Sequence, residues 1–102
     1  MGKISGELLI EIDVPIEVEV TFEAQINANV NGAIAHANAP GAIARAIAPG
    51  TKAYANAPGA IANANADGAE AYANAPGTEA HANAPGAKAY ATLTGALAIP
   101  LP

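Results

Sequence analysis

GAIAHANAPGAIARAIAPGTKAYANAPGAIANANADGAEAYANAPGTEAHANAP, residues 32–85, is one nine-residue unit repeated with small variations. Glycine stands at 32, 41, 50, 59, 68, 77 and 86, and returns at 95 after the variant unit GAKAYATLT and before the truncated GALAIPLP. Within each unit alanine alternates with larger or polar residues, so a period of two puts the methyl groups on one face of an extended strand. Alanine favours helices, but Pro before Gly at nearly every boundary would break any helix, and alternation prevails. The boundaries also bear on connectivity. Tight hairpins favour Asn-Gly or Asp-Gly in type I′ turns, whereas Pro-Gly favours type II, which splays antiparallel neighbours. Five boundaries are Pro-Gly, one is Asp67-Gly68 and one is Thr94-Gly95, which predicts corners rather than hairpins.

A second correlation appears at twice the period. Tyr54, Tyr72 and Tyr90 follow His36 at intervals of eighteen, and Lys52, Glu70 and Lys88 alternate in sign at the same interval. Two-strand coils of eighteen residues would stack these side chains into an aromatic column and a charge ladder. Asn56, Asn65, Asn74 and Asn83, with Asn38 before them, form a row expected to act as an amide ladder. The predicted fold is therefore all-β, a nine-residue-repeat β-solenoid or β-roll with a thin alanine interior. A three-sided coil of twenty-seven residues ranks second, since it would bring Lys52 to Glu79, and an antiparallel meander or barrel third.

Upstream, residues 7–31 keep a period of two without the glycines. Leu8, Ile10, Ile12, Val14, Ile16, Val18, Val20, Phe22, Ala24, Ile26, Ala28 and Val30 share even parity, while Glu11, Asp13, Glu17, Glu19 and Glu23 lead the odd one. This predicts a long amphipathic β segment, one or two strands, bent or edge-placed at Pro15. At 102 residues the whole chain, 1–102, reads as one domain, with 7–31 as this segment and 32–102 as the alanine-rich repeats.

Composition narrows the function. The net charge is -5, and the four bases are Lys3, Arg45, Lys52 and Lys88, which disfavours nucleic acid as a partner. There is no cysteine for a disulfide or thiolate site. No apolar run has the length of a membrane helix, and Met1-Gly2-Lys3 leads into no signal-peptide core, so cytosol or an expression host is the default location. His36 and His81 lie an odd number of units apart, which places them on opposite sheets of a two-strand coil, as solvated surface positions rather than joint metal ligands. Ser5 is the sole serine, and no nucleophile constellation surrounds it. The acidic positions from Glu7 to Glu23 are the only grouping a hard cation would choose, and solubility is their simpler purpose. Catalytic, cofactor and metal residues are accordingly expected to be none, and enzymatic activity is not expected.

The period resembles that of calcium-binding repeat-in-toxin β-rolls, but their Gly-Gly-x-Gly-x-Asp pattern is missing and Asp67 is the one aspartate in the repeats. Small-residue repetition is also similar to ice-binding solenoids, although Thr51 and Thr78 fall on the alanine face and on different sheets. An outer-membrane barrel would need aromatic girdles, which are absent. Repetition without decay, strict alternation and a turn residue at every demanded position resemble idealised de novo designed repeat proteins, or natural filament and fibre solenoids. The first resemblance implies a shape or an assembly rather than a biological activity. An alanine interior buries little apolar area for its length, while the Ile/Val/Phe comb offers a surplus. The expected partner is a second copy, in a closed cyclic homo-oligomer, and neither small molecule nor membrane is expected to bind; the alternative is a natural surface-binding or filament-forming β-solenoid, with ice or a divalent cation as target or a fibre as product. Ile99, Pro100, Leu101 and Pro102 are expected to cap the last rung.

Overall fold

Each described unit boundary, from Gly32 to Gly86, is built from a four-residue turn. In Ala57-Pro58-Gly59-Ala60 the Ala60 amide donates to the Ala57 carbonyl at 3.0 Å, and Gly59 takes φ +84°, as the third residue of a type II turn requires. Pro58 presets the second position, and the turn redirects the chain by a corner instead of folding it back. The corners stack. A Cβ on Gly59 would lie 3.7 Å from the Gly41 amide nitrogen of the coil before it, so the glycines of alternate corners pile on one another, Gly41, Gly59 and Gly77 along one side of the molecule and Gly50 and Gly68 along the other.

The structure, a computed structural model, describes residues 9–92 and 95–99. These form eleven short strands: β1 (Leu9–Ile12), β2 (Glu17–Val20), β3 (Gln25–Ala28), β4 (Ile34–Ala37), β5 (Ile43–Ala46), β6 (Lys52–Ala55), β7 (Ile61–Ala64), β8 (Glu70–Ala73), β9 (Glu79–Ala82), β10 (Lys88–Ala91) and β11 (Leu97–Ile99). Odd strands make one six-stranded sheet, β1-β3-β5-β7-β9-β11, and even strands a five-stranded sheet, β2-β4-β6-β8-β10. Every pairing is parallel and joins first residue to first residue, as in Lys52↔Glu70 and Ile43↔Ile61. The chain is a two-sided parallel β-solenoid with eighteen-residue coils through the repeats. It is neither the three-sided coil nor the meander or barrel.

Between the sheets lies a layer of methyl groups. Ala35, Ala37, Ala44, Ala46, Ala53, Ala55, Ala62, Ala64, Ala71, Ala73 and Ala80 are completely buried. Only toward the N-terminus does the layer widen, to Ile12, Val20 and Ile26. Thr51 and Thr78 also point inward, where each hydroxyl donates to the carbonyl three residues back, Ala48 and Ala75, at 2.5 Å. A hydroxyl inside so dry a layer needs that partner.

The N-terminal segment departs from expectation. Its described part is not one long amphipathic strand but three four-residue strands, β1 to β3, each starting eight residues after the last. An eight-residue step shortens the corner by one residue and preserves parity, so the even comb runs through two corners unbroken. From β3 onward the step is nine, and parity inverts at each glycine. The coil accordingly lengthens, with Leu9↔Gln25, Glu17↔Ile34 and Gln25↔Ile43 as successive partners. Comb residues that fall in corners, Val14, Ile16 and Phe22, are left about half exposed.

Candidate functional site

Outward side chains of parallel strands form rows along the solenoid, because pairing in register superposes like positions. On the five-stranded sheet His36, Tyr54, Tyr72 and Tyr90 make a continuous ring column. Centroids are 4.6, 4.6 and 4.9 Å apart and the planes within 16° of parallel. The spacing is that of neighbouring strands, so the backbone itself sets the stacking distance. The Tyr72 hydroxyl donates to Glu70 at 2.5 Å. Burial in the column, then this bond to a carboxylate and its charge, push the Tyr72 phenol above the ordinary tyrosine value.

Beside the rings runs the charge row of Lys52, Glu70 and Lys88. The Lys52 ammonium is 4.0 Å from Glu70, a half-exposed pair whose contribution is small. His36 closes the ring column at its N-terminal end and its Nε2 meets the Glu17 carboxylate. It is therefore packed and paired, not the solvated position its parity predicts. His81 lies on β9 of the other sheet, its Nε2 3.0 Å from Glu79, so the two histidines are held apart as expected.

The asparagine row divides in two. Asn56 donates to Asn38 at 2.7 Å and Asn74 to Asn56 at 2.8 Å, and Thr92 ends that ladder by donating to Asn74 at 2.9 Å. Asn83 donates to Asn65 at 2.6 Å in a separate ladder at the opposite corner. A residue present in consecutive units, as asparagine is at 56, 65, 74 and 83, belongs to both sheets by turns, which is why one sequence row becomes two. Asn38 also donates to Glu19 at 2.8 Å, fastening its ladder to the acidic coil.

The acidic positions are likewise dispersed. Glu11 is on β1, Glu17 and Glu19 are on β2 in the other sheet, and Asp13 and Glu23 occupy opposite corners. Among the described residues no three His, Asp or Glu side chains are grouped to hold a metal ion. Ser5, Glu7 and residues 100–102 of the expected cap lie outside the described residues. Among the described residues no helix is long and apolar enough to cross a membrane.

What sequence reading missed is where apolar surface remains. Of the eight large hydrophobic residues exposed among the described ones, seven belong to the first and last coils: Leu9, Val14, Ile16 and Phe22 at one end, Tyr90, Leu97 and Ile99 at the other. Ile47 alone is central, at the corner position held by asparagine in the next coil. The even comb was the signal at the first end, where its strand members Ile12, Val20 and Ile26 are buried and only its corner members Val14, Ile16 and Phe22 supply exposed surplus. No protein-family model matches this chain, and neither a curated protein nor a solved structure matches it.

Proposed function

We propose that the chain is a structural, self-associating scaffold, a homo-oligomer formed through β-strand packing, without catalytic or ligand-binding activity. The observation that carries this reading is the concentration of exposed apolar side chains in the two end coils, while the middle shows amide, ring and charge rows already satisfied by their neighbours. A monomer would leave that surface in water. A role of this kind needs no evolved pocket, which agrees with the resemblance to idealised repeat designs. Light scattering on a size-exclusion column tests it. The expected result is mass above 10.0 kDa that grows with concentration or settles at a multiple, and a monodisperse 10.0 kDa species at millimolar protein would overturn it.

A further inference from the structure

Resting on the self-association just proposed, we infer that copies join head to tail, the open edges of β10 and β11 receiving β1 and β2 of the next copy after a half-turn about the solenoid axis. Among the described strands these four are the sheet ends, with a neighbour on one side only. Edges of that kind present a row of backbone donors and acceptors and template further pairing.

The half-turn follows from the odd number of strands. Strands alternate between sheets along the chain, so β11 stands half a coil beyond β10, and β1 stands half a coil before β2. Without rotation β1 of the next copy would meet β11, and a strand-wide gap of about 4.8 Å would remain in the five-stranded sheet. A half-turn lets the two steps interlock, with β1 on β10 and β2 on β11, both parallel like every pair inside the molecule.

The first-to-first register then places Lys88 against Leu9, Ala89 against Ile10, Tyr90 against Glu11 and Ala91 against Ile12. On the other sheet Leu97, Ala98 and Ile99 meet Glu17, Val18 and Glu19. Inward, Val and Ile would lie over alanine, a step the chain already makes at Val18↔Ala35, Val20↔Ala37 and Ile26↔Ala44. Ala91, exposed at the end of β10, gains a cover. Outward, Tyr90 faces Glu11 and Lys88 reaches it diagonally, as Arg45 on β5 reaches Gln25 on β3 at 2.7 Å.

Charge sets the polarity. The first coil carries Glu11, Asp13, Glu17, Glu19 and Glu23 with no base, and the last carries Lys88 with no acid. Two first coils meeting would oppose five carboxylates to five, whereas head-to-tail contact brings Glu11 to Lys88 and sets Glu17 and Glu19 against a strand without acids. A heterologous contact of this sort, repeated along one axis, yields an open fibre rather than a ring.

The chain has no cysteine, so paired substitutions report the contact directly. Glu11→Cys with Tyr90→Cys, treated with a short thiol-to-thiol cross-linker, should give a ladder of covalent multimers. These positions lie at opposite ends of one molecule and bridge only between copies. Glu11→Cys with Ile99→Cys reports stacking without the half-turn and should give no ladder. Lys88→Glu should raise the concentration for half-assembly about tenfold. A ladder from the second pair instead of the first overturns the half-turn. A discrete oligomer with a ladder from neither pair overturns the head-to-tail contact and leaves the scaffold reading standing, and a monomer that gives no ladder overturns both.

Discussion

Tyr72 has a ring on each face and a carboxylate on its hydroxyl, so it concentrates more contacts than any other outward residue of its column. Tyr72→Ala removes two stacked pairs and should lower stability by about 2 kcal/mol, read from urea unfolding. Tyr72→Phe keeps the stack and loses the hydroxyl bond, for a loss of about 1 kcal/mol. The two variants also separate at high pH. A phenol whose folded pKa lies above its unfolded value contributes stability that is fully present below the unfolded pKa, here 10.0, and is lost as pH rises from there toward the folded value. Native protein should therefore weaken from about pH 10 upward more steeply than Tyr72→Phe, and equal alkaline slopes would show that the column does not protect this phenol.

The corner is the element on which the fold turns, and Asp67-Gly68 is the one described repeat corner without proline or asparagine before its glycine. Asp67 occupies the second turn position, where five other corners hold proline, and its carboxylate crowds the corner above. A Cβ on Gly86 would come within 1.8 Å of Asp67 Oδ1. Asp67→Pro should consequently stabilise the protein by about 0.4–1 kcal/mol through restriction of the unfolded chain, a gain visible as a higher urea midpoint. Gly86→Ala should destabilise by more than the ~1–2 kcal/mol of a left-handed backbone alone, and Asp67→Pro should relieve the excess. Such corners were legible because Pro-Gly at period nine leaves little choice of turn. Coil length was legible because tyrosine and the alternating charges appear in every second unit. Residues shared by consecutive units carried no such mark, so the asparagines at 56, 65, 74 and 83 looked like one row. In residues 9–24 the eight-residue step hid the corners, since it preserves the parity on which strand reading depends. For the same reason the Glu17 partner of His36 was not visible, as it sits nineteen positions away rather than eighteen. The inward threonines followed from parity alone.

At the scale of the whole molecule, the charge row repeats every two coils, not every one. Duplicating residues 50–85 continues the order Lys, Glu, Lys, Glu, Lys beside the rings. Stability in stacked repeats is close to a sum of unit and neighbour terms, so this insertion should raise the urea midpoint and steepen the transition. Duplicating residues 50–67 instead sets Lys52 against its own copy, and should deliver less than half of that rise. Equal gains per coil would mean the charge row contributes nothing.

Uniform coils also create a problem of degeneracy. A strand such as β5 would find β9 nearly as acceptable as β7, because each offers the same alanines at the same spacing, and a chain shifted by a whole coil loses little energy at any single contact. The broad interior of the first coils removes that ambiguity. Ile12, Val20 and Ile26 fill the width only there, and the short corners on either side of β2 suit no later coil. The N-terminal coils thus act as the index mark from which the count of rungs begins, and a chain deprived of them would be expected to populate several shifted structures in place of one.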